Sequence, residues 1–145
     1  MNVNIKKLTE EAVIPTYGSS FSAGADLYAC ISEEETILPG ETKLIKTGIA
    51  MELPVGYVAL IYARSGLASK RGLAPANKVG VIDCDYRGEI MVALHNHSNE
   101  PQAISPKERI AQMVITPYIT AEFNTVESLS DTQRGDGGFG STGRK

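Results

Sequence analysis

The stretch Glu89-Ile90-Met91-Val92-Ala93-Leu94-His95 alternates: Ile90, Val92 and Leu94 fall on one face of an extended chain, and Met91, Ala93 and His95 on the other. That period of two marks a strand with one face turned to a core. Working outward, short apolar runs rich in β-branched residues predict further strands over Ala25 to Cys30, Thr42 to Leu53, Tyr57 to Ala63, Lys78 to Ile82 and Arg109 to Pro117. Pro39-Gly40 and Pro54-Val55-Gly56 read as turns between them. Helical spacing is sustained almost nowhere, so the chain reads as all-β, a sandwich or barrel. One short helix is the exception: Ser65 is expected to cap Gly66 to Arg71, with Gly72 at the left-handed stop.

The 145 residues suffice for one domain with a real core. Lys and Arg number 14 against 17 Asp and Glu, a net charge of -3 that argues against a nucleic-acid surface and makes any phosphate site local. The two cysteines, Cys30 and Cys84, have neither metal-ligand spacing nor the makings of a disulfide framework, which fits reduced thiols in a cytoplasmic protein. No apolar run approaches the ~20 residues of a membrane span, and Met1 to Glu10 carries no targeting pattern. The acidic run Glu33-Glu34-Glu35 is expected to be a solvated loop.

Three segments carry candidate chemistry. Arg64 sits at the start of the expected helix, where free amides and the helix dipole favour an anion and a guanidinium adds a fork of donors; the alternative is an ordinary capped turn. Gly80-Val81-Ile82-Asp83-Cys84-Asp85-Tyr86-Arg87-Gly88-Glu89 reads as a hairpin, strand to polar turn to strand. Asp83 and Asp85 share a face if the chain is extended there and part if a turn lies between them. The tail, Arg134-Gly135-Asp136-Gly137-Gly138-Phe139-Gly140-Ser141-Thr142-Gly143, places an aromatic and a basic side chain among glycines whose amides can approach a phosphate. It reads as an arm closing on a nucleotide, or else as a mobile terminus. It is not a P-loop, because Ser141 stands where the lysine must be.

Taken together, five segments in order resemble the motifs of the trimeric deoxyuridine triphosphatase family: Ala23-Gly24-Ala25-Asp26-Leu27-Tyr28-Ala29, Arg64-Ser65-Gly66-Leu67-Ala68, the Gly80 to Glu89 segment, Arg109-Ile110-Ala111-Gln112-Met113, and the glycine-rich tail. The resemblance spans nearly everything from Ala23 to Gly143. It implies a jelly-roll-like β domain over residues 1–130, a flexible arm over 131–145 that closes a neighbour's site, and a homotrimer with active sites where subunits meet. The implied reaction is hydrolysis of dUTP to dUMP and pyrophosphate, which limits uracil in DNA and supplies dUMP for thymidylate.

By the same resemblance Asp83 is the general base, with Asp85 as the control position. A carboxylate of ordinary acidity is ionised at neutral pH and can orient and deprotonate water. Arg64, Ser65, Gly66 and Gln112 hold the phosphates from one side, Arg134 and Ser141 from the arm. Tyr86 lies against the sugar where a 2′-hydroxyl would clash, Asn77 and the hairpin backbone read the uracil edge, and Phe139 stacks over the base. Gly80 and Gly140 are carried over as further substrate-binding positions. Mg2+ is the implied cofactor, held by triphosphate and water, with Asp26 acting through water or an ion pair.

Cys84, and Lys107-Glu108 ahead of the fourth motif, depart from the family's usual residues, and neither removes a catalytic group. Cys84 beside Asp83 raises oxidative inhibition as an expectation. Two other readings compete. A dCTP deaminase would need a glutamate in the strand after the hairpin, which here reads Ile90-Met91-Val92-Ala93-Leu94. A β-sandwich binding module docking a partner through its tail leaves Asp83, Tyr86 and Gln112 without a reason to occur together. His95-Asn96-His97 spells a nuclease-like tripeptide, but packing or solvent exposure accounts for it.

Overall fold

The computed structural model describes residues 1–138, so Phe139, Gly140 and Ser141 lie outside the described residues. Twelve strands follow one another: β1 Asn4–Lys7, β2 Thr16–Tyr17, β3 Ala25–Tyr28, β4 Glu35–Ile37, β5 Thr42–Lys46, β6 Ile49–Glu52, β7 Tyr57–Tyr62, β8 Leu73–Pro75, β9 Gly80–Ile82, β10 Met91–Asn96, β11 Gln102–Ile104 and β12 Arg109–Pro117. A single helix, α1 Ser65–Arg71, lies between β7 and β8. The ladders are open and antiparallel: β2-β3-β12-β7-β9, β5-β10-β8, β1-β6 and β11-β4. They stack as a jelly-roll-like arrangement of sheets, which removes the barrel alternative.

Alternation places the core. Ile90, Val92 and Leu94 are buried, as their shared face requires, and pack with Leu27, Ile37, Ile45, Ile49, Leu73, Ile104 and Ile110 in one cluster. The run Thr42 to Leu53 is not one strand. It breaks at Gly48, whose φ of +69° suits glycine and whose absent Cβ would stand 2.7 Å from Cys30 Sγ. At the break the buried Thr47 hydroxyl donates to Ile90 C=O at 2.5 Å, and Gly48 N donates to Glu89 Oε1 at 2.9 Å.

The expected hairpin is also corrected. β9 pairs with β7, whereas β10 pairs with β5 and β8, so the segment from Asp83 to Ile90 carries the chain from one sheet to another. Within it Tyr86 N donates to Asp83 C=O at 3.2 Å, so a turn lies between Asp83 and Asp85. Ser65 is not the cap of α1. Arg64 is the N-cap and makes no side-chain cap bond, while Gly72 closes the helix at φ +65° as expected. The acidic run is not wholly loop either, since Glu35 opens β4.

After β12 the chain has no strand or helix from Tyr118 to residue 138. Ile119, Phe123 and Leu129 on this tail are almost wholly exposed.

Candidate active site

β12 lies between β3 and β7, with Gln112 opposite Asp26 on one side and Tyr62 on the other. Residues opposite one another point to the same face, so these three line one wall. Arg64, two beyond Tyr62, and Gly24, two before Asp26, join them. The wall bounds an open cavity of about 850 Å3, closed on its far side by Ser65, Gly66 and Lys70 of α1 and by Arg71, Glu108 and Arg109.

A β-bulge brings in Arg109. Arg109 and Gln112 are three apart and would face opposite ways in a regular strand. The register slips between Arg109 and Ala111, so Ile110 and Ala111 are both buried and Arg109 turns outward beside Gln112.

Asp26 organises the charge. Only 9 % exposed, it accepts from Arg64 Nε at 2.7 Å through Oδ1 and from Arg109 Nη1 at 3.1 Å through Oδ2. Arg64 Nη1 also reaches Arg109 C=O at 3.4 Å. Gln112 is fixed by a 2.8 Å bond from Nε2 to Ala63 C=O, and it fits only because Gly24 has no side chain. Lys70 makes no ion pair among the described residues, and it lines the same cavity. With the guanidiniums of Arg64 and Arg109 and the ammonium of Lys70 in its lining, the cavity suits a polyanion.

Asp26 stands in an ion pair on each side. Both of its oxygens are engaged by guanidinium groups, and among the described residues no three His, Cys, Asp or Glu side chains converge to cage an ion. The donor set therefore fits a cation that arrives on a phosphate ligand with its own waters, and not one held by protein ligands.

The other expected site residues lie elsewhere on the chain. Asp83, Tyr86, Asn77 and Gly80 do not line the cavity. Asn77 sits against Gly80, its Nδ2 3.2 Å from where a Cβ would stand. Tyr86 is folded over Gly88 and donates to Glu89 C=O at 3.1 Å. Behind Asp83, Cys84 Sγ is 3.8 Å from Tyr118 Oη; that bond first, then the thiol's charge, holds the phenol above its usual pKa. Arg134 also lies apart, its Nε donating to Gly137 C=O at 2.8 Å within the tail. On one chain, then, the structure assembles Asp26, Arg64, Ser65, Gly66 and Gln112 and leaves the Asp83 group separate.

Arg109, Lys70, Arg71, Glu108 and Tyr118 were missed by the sequence reading. Arg109 was read only as the start of a strand and of the fourth motif, and the bulge that turns it toward the cavity is not visible in the sequence.

An all-β chain with a cationic, polyanion-sized cavity is thus the class that fold and site define. The dUTPase family model matches residues 10–143. The deoxyuridine 5'-triphosphate nucleotidohydrolase of Nautilia profundicola is 55% identical over 99% of this chain and 100% of its own, and that of Hydrogenobaculum sp. is 51% identical over 100% of both. Among solved structures, a mutant dUTPase of Staphylococcus bacteriophage 80alpha with dUpNHpp superposes with a TM-score of 0.87 at 31% identity, covering 98% of each chain. A mutant dUTPase of phage phi11 of S. aureus, described with a structural Mg(II) ion, gives 0.78 at 27% identity over 88% of this chain and 98% of its own. The chain belongs to the dUTPase family. Among the described residues no helix is long and apolar enough to cross a membrane.

Proposed function

We infer that this chain hydrolyses dUTP to dUMP and pyrophosphate, with the triphosphate held in the cavity walled by Asp26, Arg64, Arg109 and Gln112. The observation that carries the reading is that cavity, formed by residues from the family's first, second and fourth motifs. Arg64 and Arg109 reach phosphate oxygens with donors that Asp26 leaves free, since each guanidinium has five N–H groups and spends few of them on carboxylate. The amides of Ser65 and Gly66 and the side chain of Gln112 complete the cradle.

Asp83 accepts a proton from water as the water oxygen bonds to the α-phosphorus and the bond to pyrophosphate breaks. The arginines and Lys70 take up the charge that grows on the leaving pyrophosphate. Tyr86 excludes a 2′-hydroxyl, Asn77 and the backbone at Gly80 pair with uracil, and Arg134, Phe139, Gly140 and Ser141 close over the substrate from the arm. The family and the Mg(II)-containing relative support a divalent cation, Mg2+, which would neutralise phosphate charge when carried in by the substrate, and Asp26 would reach it only through water, beside its two arginines.

That Asp83, Tyr86, Asn77 and Gly80 do not line the phosphate cavity of their own chain supports the family's homotrimer, in which one subunit's Asp83 faces its neighbour's cavity. The exposed Ile119, Phe123 and Leu129 support a tail that packs on another copy. Residues 1–130 then form the domain and 131–145 the closing arm, in a cytoplasmic enzyme.

Pyrophosphate release from dUTP, dCTP, dTTP and UTP with Mg2+ tests this, comparing the intact chain with Asp83→Ala and a truncation after Asp131. Release from dUTP alone, lost in both variants, is expected. No release by the intact chain would overturn the assignment, and mixing Asp83→Ala with Arg64→Ala chains should restore part of the activity if each site draws on two subunits.

A further inference from the structure

We propose that, where the cavity holds a triphosphate as inferred above, Arg71 is a positioning residue that sets the spacing between Arg64 and Arg109 without touching the substrate itself. Arg71 is the last residue of α1. Each nitrogen of its guanidinium has a protein acceptor: Nε donates to Gln102 Oε1 at 3.1 Å, Nη1 to Glu108 Oε1 at 2.5 Å, and Nη2 to Ala103 C=O. Two of those acceptors belong to β11 and the third to the turn ahead of β12. The fork therefore fastens the end of the helix to two other elements at once, in a half-buried place where its side chain is 31% exposed and that of Glu108 24%.

Glu108 carries the constraint to the site. Its second oxygen accepts from Ser105 N at 3.0 Å, and its backbone C=O accepts from Ala29 N at 2.8 Å, so the turn in which Lys107 takes φ +62° is held from both sides. The next residue is Arg109, bonded to Asp26, which is bonded to Arg64, which caps the start of α1. These links close a ring: Arg64, Asp26, Arg109, Glu108, Arg71 and back along one short helix to Arg64. Opening the ring at Arg71 frees the turn and the helix to move apart, and a cradle misplaced by ~1 Å binds its ligand poorly. Isolated surface ion pairs contribute little. A planar fork with three partners on two elements is different, and a lysine cannot reproduce it.

Calorimetric binding of inorganic tripolyphosphate to the full chain reads the cradle without turnover. Arg71→Met should weaken it about tenfold, the worth of one charge-assisted hydrogen bond, and should raise KM for dUTP with kcat nearly unchanged. In an Arg109→Met background the same change should have almost no further effect on tripolyphosphate affinity, because the group it positions is gone. Equal losses in both backgrounds, or lowered stability with unchanged affinity, would overturn the role. If Arg71→Met does not fold, Glu108→Ala removes the acceptor of the same link and is read by the same criteria. Absence of tripolyphosphate binding by the unaltered chain would also overturn it. Absence of dUTP turnover alone would sink the functional reading, while tripolyphosphate affinity would still decide for or against the clamp.

Discussion

Gly24 and Gln112 are in contact through an absence: the Cβ that Gly24 lacks would stand 2.7 Å from Gln112 Oε1 and 3.3 Å from its Cβ. The two lie on adjacent strand paths, and only a residue without a side chain leaves Gln112 room to donate to Ala63 C=O across the sheet. The atoms a methyl group would meet there are all of the Gln112 side chain, so it is accommodated by swinging the amide off its bond. Gly24→Ala is therefore expected to destabilise the protein by about 1–3 kcal/mol and to raise KM for dUTP. Urea unfolding and initial rates check the two effects separately.

Asp26 is the one carboxylate shared by two site arginines. Asp26→Asn keeps the shape but leaves one acceptor oxygen for two guanidiniums and turns an NH2 toward the other. The expected cost is about 2–3 kcal/mol, below the range for a fully buried pair because Arg109 is half exposed. Added phosphate or pyrophosphate should restore part of that stability by replacing the lost charge, which a thermal shift measures.

How much of this was legible depended on length and locality. β7, β10 and β12 were read because they are long enough to show a pattern, and the short β3 and β9 because they lie within longer apolar runs. The strands that went unread, β1, β2, β4, β8 and β11, have two to four residues, too few for a period to appear. Gly48 shows the limit from the other side: its neighbours read as one continuous strand, and the break follows from a left-handed φ and a close approach to Cys30 that no local pattern announces. Asp26, Arg64 and Gln112 were found because they lie in recognisable motifs. The bond from Arg71 to Glu108 joins residues 37 apart through a fold, and the bulge that turns Arg109 outward is set by pairing with β3. Neither leaves a mark in the run of residues itself.

Tyr86 and Gly88 make a second contact of the Gly24 kind. A Cβ at Gly88 would lie 2.6 Å from Tyr86 Cζ, so Gly88→Ala must swing the ring away from its bond to Glu89 C=O. If Tyr86 excludes the 2′-hydroxyl, the variant should hydrolyse UTP relative to dUTP better than the parent, by about tenfold or more. Tyr86→Phe keeps the ring in place and should leave the ratio unchanged. The ratio of kcat/KM for the two substrates is the measurement.

Asp83 and Asp85 are separated by the turn that Tyr86 N closes on Asp83 C=O, so substitutions at the two should differ sharply. Asp83→Ala is expected to lower kcat by about 100- to 10,000-fold with little change in dUTP binding. Asp85→Ala should stay within about twofold of the parent, since Asp83 alone is proposed as the base. Single-turnover rates at saturating dUTP distinguish chemistry from release.

His97 gives the fold a pH dependence of definite sign. Desolvation first, then the charge of His95 at a ring distance of 4.4 Å and that of Lys78, hold its pKa below the usual 6.5. Between the folded pKa and 6.5 the unfolded chain binds a proton that the folded chain does not, so stability rises with pH across that window. Below the folded pKa the full penalty is present, and above 6.5 it is absent. The melting temperature should therefore climb from about pH 5 to pH 7, a range chosen to keep the carboxylates ionised. Because His97 is exposed the slope is expected to be shallow, and His97→Asn should flatten it. An unchanged slope in that variant would show that His97 is not its source.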